Sequence, residues 1–128
     1  ESYKYAPTSR MTNTYILNGN SRFEDMIASM DNGIYAKYLG GGSVNPATGE
    51  FNFATQEAYL VKNGKIGAPI KGATLIGTGP EILNRIEMVS NNFDSGEGMC
   101  GSVSGSIPAG LGQPAIKVSE ITVGGKEA

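Results

Sequence analysis

The sequence has 128 residues, about the size of one domain, with a net charge of −2 and 17% charged residues. Lys and Arg stand singly, which excludes a basic stripe for nucleic acid, and no apolar run is long enough for a membrane span or a signal peptide. One cysteine excludes an internal disulfide and suits a reducing compartment such as the cytoplasm, while zero histidines exclude a His-based triad, a Cys/His dyad and the common zinc sets within this chain.

The 19 glycines are about double the usual share of roughly 7%, which predicts many turns and a mainly β fold. The segment from Glu1 to Pro7 reads as a linker or edge, and a start at Glu1 rather than Met suggests a piece of a longer protein. Arg10 to Leu17 alternates β-prone residues and stops at Asn18-Gly19-Asn20, so a strand is expected there. Arg10 and Asn13 are candidate site residues, although a strand-end ion pair and a polar face explain them equally well.

Ser21-Arg22-Phe23-Glu24 has the form of a capping box. Phe23, Met26, Ile27 and Met30 follow at helical spacing, and Gly33 after Asp31-Asn32 suits a left-handed cap. The methionines of this stripe read as core filling rather than a peptide groove.

Ile34 to Leu39 predicts a strand running into Gly40, Gly41 and Gly42. Consecutive glycines are entropically unfavourable unless the backbone needs close approach. They are therefore either a flexible loop or bare main chain that faces a peptide substrate, and Gly40, Gly41 and Gly42 are the candidate substrate-binding residues.

A turn at Asn45 to Gly49 precedes the alternating Glu50 to Thr55. Ala58 to Lys62, Asn63-Gly64 and Lys65-Ile66 form the strongest local pattern, a hairpin with a two-residue type I′ turn. Pro69 marks its second arm as an edge. Lys71 to Gly79 superficially resembles a phosphate loop but lacks its Gly-Lys-Ser/Thr ending and glycine spacing, so nucleotide binding is not expected.

Pro80 opens a predicted short helix over Glu81 to Glu87 with Ile82, Leu83 and Ile86 on one face, followed by a strand at Met88 to Ser90 and a loop at Asn91 to Gly96. The nine residues from Ala115 to Val123 alternate as a last half-buried strand, and Gly124 to Ala128 is a polar tail. With no internal repeat or dividing linker, residues 1–128 read as a single domain of about eight short strands and two short α-helices, a sandwich or partly closed barrel.

The remaining stretch, Gly96 to Pro114, carries Cys100. Gly and Pro at this density oppose a helix and place Cys100 on a loop or strand end. The thiol is either a small buried apolar group or a metal ligand or nucleophile. A nucleophile is the weaker reading, since no histidine is present to activate it.

Several of these pieces together resemble the C-terminal domain of the TldD/PmbA family, once called modulators of DNA gyrase. They are Arg10 to Tyr15 (RMTNTY), Gly41 to Phe53 (GGSVNPATGEFNF), Ala58 to Lys65 (AYLVKNGK), Lys71 to Pro80 (KGATLIGTGP) and Cys100 through Pro114, in the family's order. The resemblance, nearest to the TldD-like branch because of the cysteine, implies a cytoplasmic zinc-dependent peptidase acting on unfolded or flexible peptides. Two histidines and a general-base glutamate would come from a His-Glu-x-x-x-His helix elsewhere in a longer polypeptide, and Cys100 would complete the ligand set. The resemblance further implies a PmbA/TldE-like partner subunit or a homodimer. The alternative is a non-catalytic module for assembly or peptide capture. On either reading the chain alone, without the His pair or the Glu, is not expected to hydrolyse peptides.

Overall fold

The computed structural model describes residues 2–125. Among them are ten strands, β1 (Asn13–Tyr15), β2 (Asn32–Val44), β3 (Glu50–Lys62), β4 (Lys65–Ile70), β5 (Thr74–Thr78), β6 (Ile86–Val89), β7 (Asp94–Ser102), β8 (Gly105–Gln113), β9 (Ile116–Val118) and β10 (Thr122–Gly124), and two short helices, α1 (Phe23–Ala28) and α2 (Gly79–Asn84). The mainly β expectation holds. Three sheets, rather than a closed barrel, carry it.

Strand β3 is the hub of the largest sheet. Antiparallel β2 covers one side of it, and β4 and β5 divide the other, pairing with its C-terminal and N-terminal halves. Strand β10 lies outside β5, and among the described residues β2 has no strand on its outer side. The β3–β4 turn is as expected: Asn63 and Gly64 have φ of 49° and 71°, the pair of positive angles a type I′ turn requires. Pro69 lies in β4, which pairs with β3 alone.

Helix α1 forms where the apolar stripe lies and buries Met26, but neither predicted cap is used. Arg22 is the N-cap and no side chain caps the helix, because the Ser21 backbone is engaged in a bridge to Ser90 and its amide donates to the Val89 carbonyl at 3.1 Å. At the other end the Ser29 hydroxyl donates to the Met26 carbonyl at 2.7 Å, and the amides of Asn63 and Gly64 take the Asp31 and Met30 carbonyls at 2.7 Å each. With those carbonyls satisfied by the turn, Asn32 and Gly33 open β2 instead of capping the helix.

Later elements depart from expectation in instructive ways. Helix α2 is shifted towards the N-terminus, with Pro80 in its first turn, and Ile86 belongs to β6. The Ala115–Val123 run is split: β9 pairs with β6 and β10 with β5. The chain changes sheets at Ser119, whose amide donates to the Arg85 carbonyl at 2.9 Å. Gly124 is in β10 rather than in a tail, while Glu1 and the tail after Gly125 lie outside the described residues. The glycine-rich stretch, expected to be non-helical with Cys100 on a loop or strand end, is a continuous hairpin, β7–β8, paired from Asp94 opposite Gln113 to Ser102 opposite Gly105. Parallel β1 extends it into a three-stranded sheet.

The buried apolar residues are few among the described ones, namely Met26, Ala58, Val61, Ala73 and Pro114, and the three-stranded sheet with its flanking segments leaves Met11, Tyr15, Met99, Val103 and Leu111 exposed.

On the β2–β3 face, Glu57 accepts from Lys37 Nζ at 2.9 Å and from the Tyr59 hydroxyl at 2.6 Å. The Tyr59 hydrogen bond first, and then that from Lys37, hold its carboxyl below the ordinary 4.5. A depressed folded-state pKa stabilises the fold above the unfolded value and loses that contribution as pH falls through the folded value. Denaturation midpoints should therefore decline on acidification from about 5, and Glu57→Gln should flatten that limb. Identical acid limbs in the two proteins would show that these hydrogen bonds add nothing to stability.

Candidate metal-binding site

Cys100 lies within β7, opposite Ile107 of β8, and is half-buried. It is an interior position of a paired strand rather than the loop or strand end expected from the glycines. The segment leading into β1 crosses beside it. That segment is anchored where the Gly110 amide donates to the Thr12 carbonyl at 2.6 Å and where Asn13 faces Gly110 in the parallel ladder. Arg10, just before the anchor, turns its side chain onto the hairpin. Its Nη1 donates to Ser104 Oγ at 2.9 Å, and its Nη2 donates to the Gly105 carbonyl at 2.9 Å and to the carbonyl of Cys100 itself.

This crossing sets the electrostatics of the thiol. A hydrogen bond from the Met11 backbone amide, followed by the Arg10 guanidinium, holds Cys100 below the ordinary thiol range, against the opposing effect of burial. Thiolate, the form that binds metals and attacks electrophiles, is thereby favoured. Alkylation of Cys100 by iodoacetamide in metal-free protein should therefore reach half its maximal rate at a lower pH than an unperturbed thiol does, and Arg10→Gln should move that midpoint upward. A midpoint at the ordinary thiol value in both proteins would contradict this account.

Arg10, which lies before β1 because the strand expected over Arg10 to Leu17 is confined to Asn13–Tyr15, thus reaches the cysteine. Asn13 lies instead beside an open groove of about 730 Å³ whose lining also includes Glu97, Met99 and Pro108. Gly40, Gly41 and Gly42 are strand rather than loop, on the exposed outer edge of β2. They belong to the five-stranded sheet and not to the sheet that holds Cys100. Ser104 and the Met11 amide escaped the sequence reading. A buried serine in a turn carries no motif, and a backbone donor has no residue identity to recognise.

A zinc ion could be held here only with Cys100 as one ligand and the others supplied by residues outside the described ones. The thiolate-favouring surroundings of Cys100 suit a soft metal, yet among the described residues no group of three or more His, Cys, Asp or Glu could hold one. The class defined by fold and site is a mainly β domain that carries one thiol in thiolate-favouring surroundings and has no complete metal-ligand set among its described residues.

Residues 1–125 match the family described as PmbA/TldA metallopeptidase C-terminal domain, and the chain belongs to that family. It is 54% identical over 127 residues to the Haemophilus influenzae "Metalloprotease TldD homolog", covering 98% of this chain and 26% of that protein. It is 33% identical over 125 residues to the Saccharolobus solfataricus "Zinc metalloprotease TldD homolog", covering 98% of this chain and 28% of that one. The chain thus spans about a quarter of the length of the curated relatives it matches. The fold is shared with TldE from Thermococcus kodakarensis, at a TM-score of 0.66 and 24% identity over 88% of this chain and 24% of that one. A Thermotoga maritima protein described as a candidate modulator of a DNA gyrase shares it too, at 0.70 and 22% over 86% and 23%. Among the described residues no helix is long and apolar enough to cross a membrane.

Proposed function

We propose that this chain is the C-terminal domain of a longer TldD-like zinc peptidase of the cytoplasm, and that Cys100 is the metal ligand this domain contributes. The observation that carries the reading is the thiol's setting, under the Met11 amide and the Arg10 guanidinium, in a chain whose relatives are named metalloproteases. The remaining ligands, two histidines, and the glutamate base lie outside this chain on this reading. Zinc, when bound, supplies Lewis-acid polarisation of a peptide carbonyl and a water of lowered pKa.

The contribution of the chain's own residues is separate from that chemistry. Arg10 and the Met11 amide favour the thiolate form of Cys100, and Arg10 also holds its backbone carbonyl. The open edge of β2, with Gly40 and Gly41 bare, offers main-chain hydrogen bonding to an extended peptide. That mode of capture binds unfolded or flexible segments with little dependence on their side chains. A TldE-like partner subunit is the expected companion, since TldE shares this fold.

The test is elemental analysis of the longer protein together with cleavage of an unstructured peptide, before and after chelation. Stoichiometric zinc, lost with activity on chelation and restored by zinc, is the expected result. A metal-free protein, or cleavage indifferent to chelation, would overturn the proposal. With neither metal nor cleavage, the exposed Met99 and Leu111 of the three-stranded sheet and Val103 at its hairpin turn would favour a non-catalytic role in assembly.

A further inference from the structure

The β7–β8 hairpin has little side-chain packing to hold it. Glycines occupy positions 96, 98, 101, 105, 110 and 112, Val103 at its tip is 90% exposed, and β1 pairs only with positions 110–112, at the end of the hairpin away from that tip. A ribbon of this composition is conformationally loose. Yet a ligating side chain has to be fixed to about 0.5 Å for its geometry to be useful.

One side chain bridges the loose end. Arg10 grips the carbonyl of Cys100 on β7, the carbonyl of Gly105 at the start of β8, and the hydroxyl of Ser104 in the turn between them. Its own backbone is anchored two residues on by the Gly110–Thr12 hydrogen bond. Ser104, only 6% exposed, is a buried polar group that gains a charged donor from this grip, the kind of hydrogen bond that contributes more than a neutral one.

We propose that Arg10 is a positioning residue for the metal site: through the backbone of Cys100 and the Ser104–Gly105 turn it fixes where the Cys100 sulfur stands. This rests on the reading of Cys100 as a ligand. A planar guanidinium with donors spread over two nitrogens can serve three acceptors at once. A lysine ammonium, a compact point charge on a flexible stem, cannot reproduce that geometry.

The experiment uses the longer protein loaded with cobalt(II) in place of zinc, comparing wild type, Arg10→Gln, Arg10→Lys, Ser104→Ala and Cys100→Ser. Three readouts are taken: the thiolate-to-cobalt charge-transfer absorption, the chelator concentration that removes half of the metal, and amide hydrogen exchange over residues 100–105. Wild type should show the absorption and Cys100→Ser should not. Arg10→Gln should weaken or shift the band, exchange faster at residues 100–105, and release metal at chelator concentrations lower by about 10–100-fold, the range for partners that orient a ligand. Arg10→Lys should not rescue these changes, and Ser104→Ala should move them in the same direction by less.

A normal band and unchanged metal retention in folded Arg10→Gln would overturn the positioning role and leave Cys100 as a ligand. Should Arg10→Gln fail to fold, Ser104→Ala decides, and wild-type behaviour there also overturns it. Absence of the band in wild type, with Cys100→Ser indistinguishable, overturns the ligand reading and this one together.

Discussion

Cys100→Ser in the longer protein is expected to abolish stable zinc binding and, with it, peptide cleavage, while leaving the domain folded. Serine differs from cysteine by one atom, but its hydroxyl is neutral at neutral pH and has no soft thiolate to offer, whereas zinc sites draw on Cys, His and carboxylate donors. Mutating a residue that only orients a ligand lowers affinity by about 10–100-fold, so loss of the ligand itself should exceed about 100-fold. The fold should tolerate the change because Cys100 is half-buried and joins its neighbour strand through the backbone ladder opposite Ile107. Elemental analysis after dialysis, cleavage of an unstructured peptide and a thermal melt form the decisive set. Zinc and activity both retained in the variant would return Cys100 to a packing role. Loss of both with an unchanged melt would separate ligation from folding.

The sequence was most legible where local chemistry leaves little choice. Asn63-Gly64 announces its turn because two consecutive positive φ angles are needed and these residues tolerate them, and the β3 pattern alternates because aromatic and apolar side chains mark one face. The β7–β8 hairpin was illegible for the opposite reason. Its glycines offer no side chain to alternate, so the period of two vanishes although the ladder is continuous. The break between β9 and β10 is similar, since both halves are extended and only the Arg85–Ser119 contact reveals the change of sheet. At the candidate site the cysteine stood out by being alone. Its environment did not, because Arg10 reaches it across ninety positions of sequence, a pairing made by the β1–β8 ladder and not by any local pattern.

The glycine triplet separates into different roles, and that gives the second large effect. A methyl group on Gly42 would stand 2.1 Å from the Asn52 carbonyl oxygen and 2.8 Å from the Phe53 Cα, both backbone atoms of β3, and 2.4 Å from the Phe53 ring. Neither backbone atom can yield without disturbing the β2–β3 ladder, so Gly42→Ala should destabilise the chain by about 1–3 kcal/mol, as overpacking does, read as a lower denaturant midpoint at unchanged slope. Gly41 has nothing within 4 Å of the same point, and Gly41→Val should leave stability within about 0.5 kcal/mol of wild type. If the β2 edge captures peptide, a side chain at Gly41 obstructs the incoming strand. The longer protein carrying Gly41→Val should then show a raised KM with kcat unchanged, the mark of lost uniform binding. An unchanged KM would remove this edge from substrate capture. Close approach of β3 would then be the reason for glycine at position 42, and position 41 would be glycine for no reason the structure supplies.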